Sequence, residues 1–403
     1  MISIEPYTFS FDPSVVQDVL RRLANANFPI SQDERSWEYG TSVAYMREFR
    51  DYWLNHYDWQ KNADHINQYP QHIARIDDDF LHYVKVEGKG KNPRPLLMLH
   101  GYPWSFLTFY RIIPYLTDPG AHGGDPDQSF TVIVPSLRGF ALSAPGREGF
   151  GLVDHATLYR RLMREALGYD TFCLQGGDWG SHIAWYYARA FPEDLWGLHL
   201  SFMGTRGQDG RSEAEKTIPY LRGYGARTAP ILPATAEDQD YWNAVMDHFI
   251  NRAAYAHINT TAPQSLSFAM CDSPLGMAAW LVEKYRQWTD YEETFEEHFS
   301  KDHLITTTML YYLDQAFSSA IKIYRDTSRE SVKYTAADRV TVKTALAAMP
   351  KDVYPAPEHV ARRYFNLVSY RSFEHGGHFN VHECAEPLSE HIREFFFGQC
   401  DMS

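Results

Sequence analysis

Cysteine is scarce in this chain. The 403 residues include four, at Cys173, Cys271, Cys384 and Cys400, and no two of them have the C-x-x-C spacing of a zinc or redox motif. Cys173 also lies in an apolar run that we expect to be a buried strand. Scattered thiols are typical of reducing compartments, whereas small secreted proteins use cysteines as a disulfide framework. We therefore expect reduced cysteines and a cytoplasmic protein.

Long apolar stretches are also missing. No uninterrupted apolar run reaches the roughly 18 residues that a membrane-spanning helix needs. The opening residues MISIEPYTFSFDP have neither the basic start nor the apolar centre of a secretory signal. We therefore expect neither membrane insertion nor secretion.

Basic residues are in the minority. The chain has 38 Lys and Arg against 51 Asp and Glu, which gives a formal net charge of −13. Such a charge repels nucleic acid and anionic membranes, so nucleic acid is not an expected partner. The histidines form no H-E-x-x-H motif, and no glycine-rich phosphate loop follows a first strand, so we expect neither a metal nor a cofactor.

The chain does have a regular alternation of short apolar runs and helical periodicity. Apolar runs that end in turn residues occur at 94–101, 130–136, 171–177 and 195–202. This alternation predicts an α/β fold with a mainly parallel sheet and helices on both faces. Because 44% of the residues are hydrophobic and 15% are aromatic, a chain of this length can bury a large core.

Two other segments differ from this alternation. Residues 1–88 are rich in aromatics and helical pattern, and we expect them to form an N-terminal meander that wraps the core. Residues 205–339 are almost wholly helical and are expected to form a cap domain. The core would then comprise 89–204 and 340–403, and the site would lie where the cap meets the carboxyl ends of the strands.

A reactive side chain stands at one of these strand ends. The stretch CLQGGDWGSHIAW, residues 173–185, matches the nucleophile elbow G-x-S-x-G at Gly176, Asp178 and Gly180, with Asp in the serine position. A carboxylate suits an sp³ carbon, because the resulting alkyl ester can be hydrolysed at its carbonyl whereas a serine ether could not. The alternative is that Asp178 only caps the following helix, since Asp is a favoured N-cap.

The downstream sequence offers an acid and a histidine in the order that α/β-hydrolases use. Asp352 in AMPKD and His378 in EHGGHF each follow a strand-like run, so strand ends could bring them to the elbow. Asp352 would orient the imidazole, and His378 would take a proton from an attacking water. His375 and His382 are nearby alternatives for the base.

These motifs together resemble the epoxide hydrolases of the α/β-hydrolase fold, particularly the microsomal-type and fungal branch. NHYDW, HGYP, VPSLRGFALS, GGDWGS, PKD and GGHF occur in the order of that family and span nearly the whole chain. The resemblance implies that Asp178 opens an epoxide and that the ester is hydrolysed to a vicinal diol without a cofactor. It also selects His378 as the base, with Glu383 five residues later as in many relatives.

The HGYP loop carries further implications of the resemblance. The backbone N–H groups of Tyr102 and Trp179 would form the oxyanion hole, and Pro103 is a candidate for a cis peptide bond. Trp104 occupies a position that is often glycine in relatives. Its ring would either enter the pocket and contact substrate, which we favour, or pack under the cap.

Two cap tyrosines complete the implied machinery. Tyr255 and Tyr324 would donate hydrogen bonds and a proton to the epoxide oxygen, because a phenol stays protonated at neutral pH. Tyr311 and Tyr312 are the nearest competitors for this role, and we expect them to contact substrate.

Two other functions must be weighed. Haloalkane dehalogenases share the Asp elbow and the D-W-G sequence but usually lack paired cap tyrosines, so Tyr102, Tyr255 and Tyr324 favour the epoxide. A non-catalytic receptor on this scaffold would typically have lost a triad member, and none is lost here. The expected ligands are a small hydrophobic epoxide and water, in detoxification or secondary metabolism, and a homodimer is left open.

Overall fold

The computed structural model describes residues 2–203, 239–330 and 339–400. Within these residues the chain forms one nine-stranded sheet packed with helices. The strands are β1 (Ile2–Tyr7), β2 (Gln71–Ile76), β3 (Asp79–Val86), β4 (Arg94–Leu99), β5 (Phe130–Pro135), β6 (Phe172–Gly176), β7 (Leu195–Leu200), β8 (Val340–Ala348) and β9 (Phe365–Ser372).

The sheet has the spatial order β1-β2-β3-β5-β4-β6-β7-β8-β9. Neighbouring strands from β5 to β9 run parallel, whereas β1, β2 and β3 are joined to each other and to β5 in antiparallel pairs. The predicted mainly parallel sheet is therefore confirmed. Because β6 lies between β4 and β7, the residues that follow it stand at the centre of the carboxyl edge.

The three N-terminal strands were not predicted. β1 is an edge strand whose residues are mostly exposed, and it contains Pro6, a residue that argues against a strand in a sequence-based prediction. β2 buries residues without a period of two. Our interpretation of residues 1–88 as a mainly helical wrapping segment was thus incomplete, because this segment also extends the sheet.

Sixteen α-helices are found in the described residues. They are α1 (Pro13–Ala24), α2 (Val43–Asn55), α3 (Trp59–Ile66), α4 (Ile113–Thr117), α5 (Leu152–Arg161), α6 (Trp179–Ala190), α7 (Gln239–Asn251), α8 (Ala254–Thr261), α9 (Pro263–Asp272), α10 (Pro274–Trp288), α11 (Lys301–Tyr312), α12 (Ala316–Ala320), α13 (Lys322–Arg329), α14 (Glu358–Tyr364), α15 (Asn380–Glu383) and α16 (Ala385–Gly398). In that part of the chain, no helix is both long and apolar enough to cross a membrane.

Helices α7–α13 follow one another between β7 and β8, and we refer to them as the cap. Local sequence sets their ends: the Ser273 hydroxyl accepts from the Gly276 N–H at the start of α10, and the Ser300 hydroxyl accepts from the His303 N–H at the start of α11. Residues 204–238 and 331–338 lie outside the described residues and include the predicted start of the cap at 205, so the division into domains stays a prediction.

Helix α6, which follows the elbow, is fastened at its far end by a buried carboxylate. Asp194 is fully buried and accepts from Arg160 Nε at 2.6 Å, Arg164 Nη1 at 2.6 Å and the Tyr187 hydroxyl at 2.8 Å. Because Tyr187 lies on α6 and Arg160 on α5, Asp194 joins the two helices. The position of the elbow thus depends on a charge cluster at the opposite end of α6.

We expect Asp194→Asn to lower the free energy of unfolding by about 2 kcal/mol. Removing one partner of a fully buried ion pair costs about 3–5 kcal/mol, and the cost is smaller here because both arginines are about one-third exposed. Glu193→Gln is the matched control, since this more exposed partner of Arg160 should matter by less than about 0.5 kcal/mol. Urea unfolding measures the free energy of unfolding of both variants. Equal losses in Asp194→Asn and Glu193→Gln would contradict the role given to Asp194.

Candidate active site

The elbow holds Asp178 in a backbone conformation that is rare for a residue with a side chain. Its φ is 48° and its ψ is −124°, at the turn between β6 and α6. The turn is tight enough that a Cβ at Gly180 would lie 2.0 Å from the Leu99 carbonyl oxygen. The predicted strand–turn–helix is therefore present, and glycine is required where α6 approaches β4.

The Asp178 carboxylate has two hydrogen-bond partners. Oδ1 accepts from the Tyr102 backbone N–H at 2.6 Å, and Oδ2 lies 3.2 Å from His378 Nε2. The side chain makes no capping hydrogen bond to α6. The Asp178 side chain therefore does not cap the helix, and the alternative interpretation is wrong.

Asp352 and His378 meet at this carboxylate from two loops. Asp352 follows β8 and His378 follows β9, and His378 Nδ1 lies 2.6 Å from Asp352 Oδ1. The Val353 N–H donates to the same oxygen at 2.7 Å, which fixes the orientation of the Asp352 carboxylate. The structure thus brings the three predicted side chains together in the order Asp178, His378, Asp352.

The charge on His378 follows from its two neighbours. Burial alone would lower the pKa of the imidazole, but the charges and hydrogen bonds of Asp352 and Asp178 outweigh burial and raise the pKa of His378 to about 10. The imidazolium is therefore the resting form at neutral pH. Both carboxylates contribute to this stabilisation of the charged form.

Four aromatic rings enclose the His378 imidazole edge-on, with centroids 5.2 to 5.7 Å away. These rings belong to Trp104, Phe202, Trp288 and Phe379. They shield the imidazole, which is 1% exposed, from bulk solvent, so the interactions of its charge are stronger than in water.

Trp104 packs beneath the histidine. Its side chain is 1% exposed and its ring contacts Phe109, His378 and Phe379 of the core. Trp104 has no positive φ, so the position does not require glycine. The ring therefore supports His378, and our expectation that it also contacts substrate stays a prediction.

The HGYP loop brings the backbone N–H of Tyr102 to Asp178. The peptide bond between Tyr102 and Pro103 is cis, as predicted, and the Tyr102 N–H points at Asp178 Oδ1. Trp179 is the first residue of α6, where backbone N–H groups have no acceptor within the helix. The Tyr102 N–H contacts Oδ1 directly, and the Trp179 N–H stays the predicted second donor of the oxyanion hole.

The two predicted cap tyrosines lie together over the elbow. Tyr255 on α8 and Tyr324 on α13 have perpendicular rings with centroids 6.1 Å apart. The Tyr324 ring contacts Trp179 at 4.7 Å, and the Tyr255 ring stacks on Tyr102 at 6.2 Å.

Both phenols are protonated at neutral pH. Burial raises the pKa of Tyr255 well above its ordinary value, and the charge of Asp178 adds to this effect. Burial likewise raises the pKa of Tyr324, with further contributions from Tyr255 and Asp178. Each can therefore donate a hydrogen bond near the Asp178 carboxylate.

The neighbouring pair on α11 divides between two environments. Tyr311 is buried, its ring lies 5.9 Å from Tyr102, and its hydroxyl donates to the Trp104 carbonyl at 2.7 Å. Tyr312 is half-buried and interacts electrostatically with Arg22 of α1. The expectation that Tyr312 contacts substrate is not supported, because consecutive helical side chains point in different directions.

Several residues at the site were not predicted. Trp280 Nε1 donates to the Tyr102 hydroxyl at 2.8 Å, and Trp288 contacts both His378 and Tyr255. The stretch LGMAAWLVEKYRQW, residues 275–288, contains both tryptophans, but its pattern predicts only a cap helix and not their contacts with the site. In the described part of the chain, no group of three or more His, Cys, Asp or Glu side chains could hold a metal ion.

Comparison with known proteins adds an independent finding. Residues 4–109 match the family model described as "Epoxide hydrolase N terminus", and residues 94–201 match the model for the alpha/beta hydrolase fold. The chain is 32% identical to "Epoxide hydrolase 1" of Sus scrofa over 420 residues, which cover 98% of this chain and 88% of that protein.

Solved structures show the same fold. The Aspergillus niger epoxide hydrolase superposes with a TM-score of 0.82 at 23% identity, covering 99% of this chain and 97% of that one. The juvenile hormone epoxide hydrolase of the silkworm Bombyx mori superposes with a TM-score of 0.80 at 24% identity, covering 99% and 94%. The predicted α/β-hydrolase fold is confirmed by these matches.

Proposed function

The chain belongs to the epoxide hydrolase family, and on this premise we propose that it converts a small hydrophobic epoxide to a vicinal diol through an ester on Asp178. The observation that carries the proposal is the Asp178 carboxylate, held between the Tyr102 N–H and His378. Tyr255 and Tyr324 lie within the electrostatic reach of that carboxylate and supply the acid.

In the first half-reaction Asp178 Oδ2 attacks one epoxide carbon, and the bond from that carbon to the ring oxygen breaks. The oxygen would leave as an alkoxide, which is far too basic to leave without a donor. Tyr255 and Tyr324 stabilise it by hydrogen bonding and one of them transfers its proton. The product is an alkyl ester of Asp178 that carries a neighbouring hydroxyl.

In the second half-reaction water attacks the carbonyl carbon of that ester. His378 Nε2 removes the proton from the water, and Asp352 stabilises the imidazolium that forms. Negative charge develops on Oδ1 of Asp178, where the N–H groups of Tyr102 and Trp179 stabilise it. Collapse of this intermediate breaks the bond from the carbonyl carbon to the substrate oxygen, and that oxygen takes up the second proton of the attacking water. The diol leaves, and the site returns to a carboxylate on Asp178 and an imidazolium on His378.

The change of charge on Asp178 sets the order of ester formation and ester hydrolysis. Ester formation removes one of the two negative charges that raise the pKa of His378, so the imidazolium becomes more acidic. Its proton can then return to the phenolate that protonated the alkoxide. The site thereby reaches a neutral base and a neutral phenol before water attacks, and the count of protons closes.

The proposed substrate class follows from the walls of the site. The rings of Tyr255, Phe317 and Tyr324 lie around the Tyr102 side chain and give this part of the site apolar walls. Such walls suit an apolar epoxide. A halide leaving group would need no proton, so the tyrosine pair favours the epoxide over a haloalkane.

The location and assembly of the protein stay proposals. We propose a cytoplasmic protein, supported by the absence of any disulfide among Cys173, Cys271, Cys384 and Cys400. The homodimer that the sequence leaves open stays a prediction.

His378→Gln should form the ester but fail to hydrolyse it. The first half-reaction needs the Asp178 nucleophile and the tyrosines, whereas the second needs the base. Intact mass spectrometry after addition of a terminal epoxide should show stable protein plus one substrate. His375→Gln is the matched control, because this histidine is exposed. The control variant should turn over the epoxide as the wild type does. Continued epoxide consumption by His378→Gln without any adduct would count against the two-step mechanism.

Replacing both cap tyrosines should nearly abolish ring opening. Loss of one hydroxyl in Tyr255→Phe or Tyr324→Phe leaves the other donor in place, so each single variant should be weakened only in part. The double variant should lose the whole general-acid contribution of about 10²–10⁴-fold. The rate of ester formation in a single turnover is the quantity to measure.

Two controls make this test specific. Tyr312→Phe removes a hydroxyl from the same cap away from Asp178 and should leave ester formation unchanged. The wild-type protein should release no bromide from a matched bromoalkane. If the double variant opens the epoxide at the wild-type rate, the acid must be another group. Rapid bromide release would indicate a haloalkane dehalogenase instead.

A further inference from the structure

The loop that carries the histidine is held through its backbone. We call residues 376–379 the histidine loop. Each of its four successive N–H groups donates a hydrogen bond to an acceptor outside the loop. The bonds are Gly376 to Asp290 Oδ2 at 2.8 Å, Gly377 to Glu383 Oε2 at 2.9 Å, His378 to the Trp288 carbonyl at 2.7 Å and Phe379 to Glu383 Oε1 at 2.8 Å.

Two of these acceptors come from the cap. Trp288 is the last residue of α10, and Asp290 lies two residues beyond it. The Asp290 N–H also donates to Glu383 Oε2 at 2.7 Å, so this oxygen joins the cap segment to the Gly377 N–H. The end of α10 and the histidine loop therefore share one hydrogen-bond network.

The approach of the two segments depends on glycine. A Cβ at Gly377 would lie 2.3 Å from the Trp288 carbonyl oxygen and 2.8 Å from the Asp290 nitrogen. Gly376 has a φ of +116°, a conformation that side chains disfavour. The two glycines before His378 thus allow the cap segment to contact the loop backbone directly.

The imidazole needs this support because it must satisfy two carboxylates at once. His378 Nδ1 lies 2.6 Å from Asp352, and Nε2 lies 3.2 Å from Asp178. A shift of the backbone would misalign Nε2 with the water that attacks the ester. A misplacement of about 1 Å can cost about 10²-fold in rate.

We propose that Asp290 and Glu383 are positioning residues that align His378 for ester hydrolysis, so that the cap segment after α10 controls the second half-reaction. This inference rests on the proposed function. Neither carboxylate reaches the reacting atoms, since both act on the backbone of the histidine loop. Ester formation does not use His378 as a base and is expected to be largely independent of them.

The test separates the two half-reactions. Asp290→Ala removes the acceptor for the Gly376 N–H. Glu383→Gln replaces one of the two acceptor oxygens with an NH₂ group, which is itself a donor and cannot accept from the backbone N–H that faces it. In single-turnover experiments with a terminal epoxide, we expect both variants to form the ester within about threefold of the wild-type rate. Decay of the ester should slow by about 10- to 100-fold.

The controls distinguish positioning from general damage. Asp290→Asn retains an oxygen that can accept from the Gly376 N–H, so it should restore most of the decay rate. Glu293→Gln changes an exposed side chain beyond the same turn and should match the wild type. Equal slowing of both half-reactions, or unchanged decay in Glu383→Gln and Asp290→Ala, overturns the inference. Failure of the wild type to form any ester would instead overturn the proposed function.

Discussion

The Asp178 carboxylate lies between two donors, the Tyr102 N–H and the His378 imidazole, and the rest of the structure serves to hold it there. A strained φ turns its side chain out of the sheet, and Gly180 lets α6 approach close enough to maintain that strain. A carboxylate at this elbow can form an ester that water hydrolyses. Its chemistry therefore depends on which groups face each oxygen.

Those groups come from different parts of the chain. The HGYP loop supplies the N–H that faces Oδ1, the loops after β8 and β9 supply Asp352 and His378, and the cap supplies the two phenols. Aromatic rings around His378 keep the charges in a dry environment, where they act strongly on one another. One change of charge, at Asp178, can therefore alter the protonation of the whole site.

The sequence predicts the parts of the site that are encoded locally. Asp178, Asp352 and His378 each follow a strand-like run and a recognisable motif, and the structure brings them together. Side-chain direction is not local, and so the packing of the Trp104 ring against His378 was not predicted. The edge strand β1 is short, mostly exposed and contains Pro6, and Asp290 reaches its partner from a distant part of the chain. A contact between distant segments such as that of Asp290 leaves no signal in a short window of sequence.

The covalent ester on Asp178 is the central claim, and the fate of one oxygen atom tests it most directly. A single turnover is run in ¹⁸O-labelled water with the enzyme in excess over a terminal epoxide. Because Asp178 donates its own oxygen to the substrate and regains one from water, the diol should be unlabelled and the peptide containing Asp178 should carry the label. A diol that contains solvent oxygen in this first turnover, with an unlabelled Asp178 peptide, would contradict the account.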